Sequence, residues 1–217
     1  MLAFRGGISD NMVWRATLLL CVAQSQTAPN HRPPQTHLGP LPTDRLPSPP
    51  SSPATPHRER IMRPSALITG ITGQDGSYLA ELLITKGYSV HGMVRPEGSE
   101  SLERIDHLLD QITLHEGCLS NQSNLTRMVR AIRPTEIYNL AAQTFIPASW
   151  ELPIETTDAT AIGVVRVLEA ARSVNREIRV FQAGSSEMFG KVAEVPQVET
   201  TRFHPRSPYG ISKCAGF

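Results

Sequence analysis

Between an apolar run and an amphipathic stretch lies Thr69-Gly70-Ile71-Thr72-Gly73-Gln74-Asp75-Gly76, and this TGxxGxxG loop constrains the fold more than any other feature of the chain. The run before it, residues 65–69, is short, apolar and ended by glycine, as a buried parallel strand is. After it, Tyr78, Leu79, Leu82 and Leu83 recur at helical spacing over residues 74–86, and Gly87 supplies the C-terminal stop. Residues 88–94 form a second apolar run, which closes a βαβ unit. Glycines in such a loop permit a tight turn, close approach of backbone to a pyrophosphate, and close packing of helix on strand. The helix N-terminus adds unpaired N–H groups and the positive end of a dipole. Gly70, Ile71, Thr72, Gly73, Gln74, Asp75 and Gly76 therefore read as a dinucleotide phosphate site. The strand–loop–helix context, more than the glycines themselves, carries that reading.

The alternation continues downstream. A short helix is expected around 102–109, a strand at 112–115, and a helix at 121–132 that ends before Pro134. A strand at 136–140, a long helix at 154–174 and a fifth strand at 178–182 follow. Strands alternating with helices imply an α/β fold, a doubly wound parallel sheet of the Rossmann type. Composition shifts near residue 63. Residues 26–60 are rich in Pro, Ser, Thr and Gln and bury too little apolar surface to offset chain entropy, so residues 1–63 are expected to be a disordered extension ahead of a folded domain at 64–217. The apolar run at 16–23 resembles a signal-peptide core but is too short to span a membrane. Met62, directly before the first strand, is the preferred start of the folded protein.

Arg95 ends the second strand, where an NAD site usually places a carboxylate for the ribose hydroxyls. A guanidinium there suits the 2′-phosphate of NADP, the alternative being a solvated surface side chain. Tyr209 and Lys213 are spaced Tyr-x-x-x-Lys at the start of a helix, which puts phenol and ammonium on one face. The ammonium is expected to lower the phenol's pKa toward a useful range for proton transfer. Directly after the fifth strand come Ser185, Ser186 and Glu187, at the end of the sheet where such folds place ligands. A hydroxyl there can bond a reacting sugar oxygen beside Tyr209. The Glu187 carboxylate offers a base for a carbon acid, or else is an acidic neighbour of a helix N-cap.

The formal net charge of +1 gives no basic footprint for nucleic acid. The seven histidines lack ligand spacing, and no metal site is expected. The three cysteines, Cys21, Cys118 and Cys214, are far apart, which fits a reduced, cytoplasmic protein.

The stretches ALITGITGQDGSYLAELLITKGYSVHGMVR, IYNLAAQTFIPASWELP, SSEMFGKVAEVPQVETT and HPRSPYGISK resemble the GDP-mannose 4,6-dehydratases, extended short-chain dehydrogenases/reductases, from about residue 64 to the last residue. The resemblance implies a bound NADP, a homodimer or homotetramer, and GDP-mannose as substrate. It implies oxidation at C4, loss of water across C5 and C6, and return of hydride to C6, giving GDP-4-keto-6-deoxymannose. By position it makes Ser185, Glu187, Tyr209 and Lys213 catalytic, and Thr144, Ser185 and Ser186 substrate contacts. Gly70 to Gly76, Arg95, Cys118, Leu119, Leu140, Ala141, Ala142, Thr144, Tyr209 and Lys213 become cofactor contacts.

Four departures stand out. Pro96 replaces a second arginine, Cys118 replaces an aspartate that contacts adenine, and Glu155 falls on a substrate-side tyrosine. The chain also stops four residues past Lys213, short of the family's substrate domain. A related GDP-4-keto-6-deoxymannose reductase shares the loop and the Tyr-x-x-x-Lys pair, whereas Glu187 argues against a 4-epimerase. From another class comes an inactive truncated fragment that binds nucleotide. The chain by itself is expected to be inactive.

Overall fold

Five parallel strands form one sheet in the order β3-β2-β1-β4-β5 in a computed structural model that describes residues 63–96 and 100–217. The expected extension, apart from Arg63, lies outside the described residues. The elements are β1 (Ser65–Thr69), α1 (Gln74–Thr85), β2 (Ser89–Val94), β3 (Ile112–Glu116), α2 (Gln122–Ile132) and β4 (Glu136–Asn139). They continue with α3 (Ala148–Glu151), α4 (Pro153–Thr157), α5 (Gly163–Val174), β5 (Arg179–Gln182) and α6 (Pro208–Ala215). The order reverses at β1, where the chain passes from β2 and β3 on one side to β4 and β5 on the other. In open α/β sheets such a switch, here at the carboxyl ends of β1 and β4, is where the ligand crevice lies.

Alternation along β1 shows why the sheet is covered on both faces. Leu67 packs with Ile137, Leu125, Val129 and Val167 against α2 and α5. Its neighbours Ala66 and Ile68 point the other way, to Ala80 and Leu83 of α1 and to Ile105 and Leu108. Each such fully buried aliphatic side chain contributes about 1.5–3 kcal/mol, so the fold is driven from both faces of one strand.

The strands fall close to their expected places, and the helix ends carry their signals. Gly87 has φ 79° past the end of α1. Asn121 caps α2 by accepting from Asn124 N at 3.0 Å. The short helix expected at 102–109 is a single 3-10 turn at Asp106–Leu108, fastened by Ile105, which is fully buried. The long helix expected at 154–174 contains a π-helical stretch at Asp158–Ile162 between α4 and α5. There Arg166 of α5 reaches back to the Asp158 carboxylate at 2.7 Å and to the Leu119 carbonyl at 3.3 Å.

Candidate active site

The phosphate loop takes the conformation its glycines allow. Gly70 has φ 72°, and a Cβ there would stand 2.9 Å from Ala141 N. A Cβ on Gly76 would lie 2.2 Å from the Gly70 carbonyl oxygen, so this glycine is what lets α1 begin against the turn. Gly73 caps α1 with no side-chain bond to its first turn. The leading N–H groups of α1 thus face outward from a turn too tight for side chains, which fits a pyrophosphate.

A polar ladder lies just behind this loop, and sequence reasoning missed it. Thr69 donates to Asn139 Oδ1 at 2.6 Å, and Asn139 donates to Gln182 Oε1 at 2.6 Å. These residues are direct partners across β1, β4 and β5. Thr69 Oγ1 also accepts from Ala141 N at 3.1 Å. At the other end Gln182 donates to the Ala183 carbonyl at 3.0 Å, and Lys213 Nζ donates to the same oxygen at 2.9 Å. A continuous series of hydrogen bonds therefore joins the start of the phosphate loop to Lys213. No periodic pattern announces Asn139, because one polar residue in a strand is as readily read as exposed; it is 1% exposed.

Four of the predicted residues meet at the carboxyl end of β5. Ser207 caps α6 by accepting from Gly210 N at 3.0 Å, which orients Tyr209 and Lys213 inward. Both are buried, at 7% and 5% exposure. The Ser185 hydroxyl and the Glu187 carboxylate both lie near the Tyr209 phenol and act on its ionisation in opposite senses. Ser185 Oγ also accepts from Glu187 N at 3.2 Å, so Ser185 caps the short turn Ser186–Met188. Gly210 is a further functional position that went unseen: a Cβ there would stand 2.6 Å from the Glu187 carbonyl, so glycine lets α6 approach that turn.

One electrostatic expectation is corrected. Burial raises the Tyr209 pKa, opposed by the nearby Ser185 hydroxyl and reinforced by the Glu187 charge, so the net direction is upward. Lys213 does not offset this. Its Nζ lies 5.8 Å from the centre of the Tyr209 ring and is directed at Ala183, while burial lowers its own pKa.

The remaining predicted residues are dispersed around the crevice. Leu140, Ala141 and Ala142 are half-buried beside the Gly70 turn, and Thr144 and Ser186 are exposed. Gln143 adds a buried side-chain oxygen with no hydrogen-bond partner on the same segment. Cys118 is half-buried, its thiol 2.9 Å from Ser120 Oγ. The Leu119 side chain packs into the core between the sheet and α2, so it presents no side-chain contact to the crevice. Glu155 is exposed on α4. Arg95 is not a free cation: its Nε donates to Glu100 at 2.6 Å.

The 3-2-1-4-5 sheet, the glycine turn at its switch point and the buried Tyr209 and Lys213 define an α/β domain of the short-chain dehydrogenase/reductase class. Residues 67–217 match the GDP-mannose 4,6 dehydratase family, and the chain belongs to that family of enzymes. It is 50% identical over 165 residues to GDP-mannose 4,6 dehydratase 1 of Arabidopsis thaliana, covering 70% of this chain and 45% of that protein. It is 46% identical over 162 residues to the Homo sapiens GDP-mannose 4,6 dehydratase, covering 70% and 44%. The chain thus spans less than half the length of these relatives. Among solved structures it resembles the UDP-glucose 4-epimerase of Thermotoga maritima with UDP-glucose, at TM-score 0.63 and 27% identity, over 70% of this chain and 48% of that one. The Thermus thermophilus UDP-glucose 4-epimerase complexed with NAD gives TM-score 0.62 and 27% identity, over 70% and 48%.

Proposed function

We propose that residues 64–217 are the cofactor-binding and proton-transferring half of a GDP-mannose 4,6-dehydratase that works with NADP. The observation that carries this reading is the convergence of Ser185, Glu187, Tyr209 and Lys213 at one end of the sheet, beside the glycine turn. A nicotinamide cofactor, when bound, supplies the hydride acceptor and donor. Gly70 to Gly76 would hold its pyrophosphate, Arg95 its 2′-phosphate, and Leu140, Ala141, Ala142 and Thr144 would flank its nicotinamide side. Cys118 and the backbone at Leu119 would border its adenine.

The chain's own residues account for the proton movements. Tyr209, as phenolate, accepts the C4 hydroxyl proton, and the Ser185 hydroxyl holds the same sugar oxygen. Its raised pKa means that the phenolate is scarce without ligand. Charge on a bound cofactor and Lys213 must then stabilise it, which restricts proton abstraction to the loaded site. A ketone at C4 acidifies C5. Glu187 takes that proton and, with Ser185, assists departure of the C6 hydroxyl as water. Thr144 and Ser186, both exposed, would meet the sugar.

Relatives at 46–50% identity are dehydratases, which disfavours the reductase alternative. A homodimer or homotetramer in the cytoplasm completes the reading. No helix among the described residues is long and apolar enough to cross a membrane. The test is turnover of GDP-mannose by a form extended to the relatives' length, followed by mass spectrometry for a product lighter by one water. Loss of turnover in Tyr209→Phe is expected. A product at parental rate from that variant would remove Tyr209 from the chemistry.

A further inference from the structure

Arg95 and Thr72 stand on different elements, one at the end of β2 and one in the phosphate loop, and a single carboxylate ties them together. Glu100 accepts from Arg95 Nε through Oε1 at 2.6 Å and from Thr72 Oγ1 through Oε2 at 2.8 Å. Its side chain is 17% exposed, whereas that of Arg95 is 60% exposed. Two bonds and partial burial distinguish this pair from an ordinary surface ion pair, whose members swing freely in water. The carboxylate lies between the phosphate loop and the strand end that must embrace the adenosine ribose of a dinucleotide.

We infer that Glu100 is a specificity-determining residue that opposes the 2′-phosphate and so holds down the preference of this site for NADP over NAD. The inference rests on the dinucleotide reading of the loop. Arg95 is the group expected to favour a 2′-phosphate, and Glu100 neutralises its charge and occupies its Nε. A 2′-phosphate must displace that carboxylate or sit beside it, and a carboxylate next to a phosphate repels it. A ribose 2′-hydroxyl has neither difficulty, since it can donate to a carboxylate, the arrangement NAD sites commonly use.

The experiment uses the 217-residue chain and measures Kd for NADP+ and NAD+ by calorimetry, with 2′,5′-ADP and ADP as probes of the adenosine end. Glu100→Gln preserves the side chain's size and an oxygen able to accept from Thr72, but removes the charge. It should raise the ratio Kd(NAD+)/Kd(NADP+) by roughly tenfold, the size expected from one charge-assisted contact. The ratio for ADP against 2′,5′-ADP should rise with it. In an Arg95→Ala background the same change should shift the ratio several-fold less, because the freed guanidinium is missing. A ratio that stays the same or falls in Glu100→Gln, with binding retained, overturns the inference and makes Glu100 a support that positions Arg95. Absence of saturable binding of every probe to the folded parent chain sinks the cofactor reading itself, and the inference with it. Circular dichroism spectra matching the parent's separate these outcomes from misfolding.

Discussion

Asn139→Leu tests whether the buried ladder holds the crevice together. Asn139 is 1% exposed and makes two side-chain bonds of 2.6 Å, accepting from Thr69 and donating to Gln182. Leucine matches its size, so the cost comes from stranded partners rather than from a cavity. The Thr69 hydroxyl, itself fully buried, keeps its acceptor role toward Ala141 N but loses the Asn139 acceptor of its own hydrogen. An orphaned buried donor costs about 1–3 kcal/mol, and the half-buried Gln182 oxygen adds up to about 1 kcal/mol. The added apolar burial of leucine returns part of this, leaving about 1–3 kcal/mol. For a domain of this size each kcal/mol lowers Tm by about 2–4 °C, so the melt should fall by roughly 2–12 °C. Thermal and urea unfolding followed by circular dichroism supply the measurement. Thr69→Val should cost a similar amount, and the double variant should cost less than the sum by at least about 1 kcal/mol, because the two residues share one bond. Additive losses, or a single-variant loss below about 0.5 kcal/mol, would show that the ladder is incidental.

Arg95→Ala should weaken NADP+ binding by about tenfold and leave NAD+ within about twofold, read by calorimetry; equal losses would mean that Arg95 supports the fold. His91 and His115 face each other at 3.0 Å, and burial lowers both pKa values, that of His91 further through the His115 charge. The folded state thus binds fewer protons than the unfolded one below about pH 6.5, so stability is full above that pH and is lost as pH falls through the lowered values. His115→Gln should flatten the slope of urea-unfolding stability between about pH 5 and 6.5, and an unchanged slope would assign acid lability elsewhere. In a form of the relatives' length, Glu187→Gln should retain the first oxidation, seen as NADPH absorbance that builds on adding GDP-mannose, yet slow dehydration by about a hundredfold to ten-thousandfold. Dehydration at the parental rate would reduce Glu187 to a structural acid.

Most of the sheet is legible in sequence because its strands are apolar runs punctuated by glycine or proline. Burial on both faces of β1 requires such a run, and Leu67 and Ile68 reach opposite cores from adjacent positions. The glycine loop is legible for a related reason, since its backbone geometry excludes other residues at Gly70 and Gly76. What stays hidden depends on distant partners. Asn139, Gly210 and Glu100 each owe their role to a residue on another element, and local periodicity contains no trace of such pairing. The upward shift of Tyr209 was missed likewise: a four-residue spacing puts Lys213 on the same helix face but cannot say that its ammonium is bound to Ala183.

That last contact suggests how binding and chemistry are coupled in this fold. Lys213 is joined to the glycine loop through Ala183, Gln182, Asn139 and Thr69, all at or just beyond the carboxyl ends of three neighbouring strands. The strands fix the register of these groups, so the spacing between the glycine loop and the Tyr209–Lys213 pair is tied to backbone pairing. Tyr209 and Lys213 are both shifted by burial toward their neutral forms, which a bare hydrophobic pocket would also produce. On the proposed function, a bound, positively charged cofactor would favour the Tyr209 phenolate, with Lys213 on the same helix. On that reading, burial holds Tyr209 toward its protonated form until the cofactor binds, so proton abstraction would be confined to the loaded site.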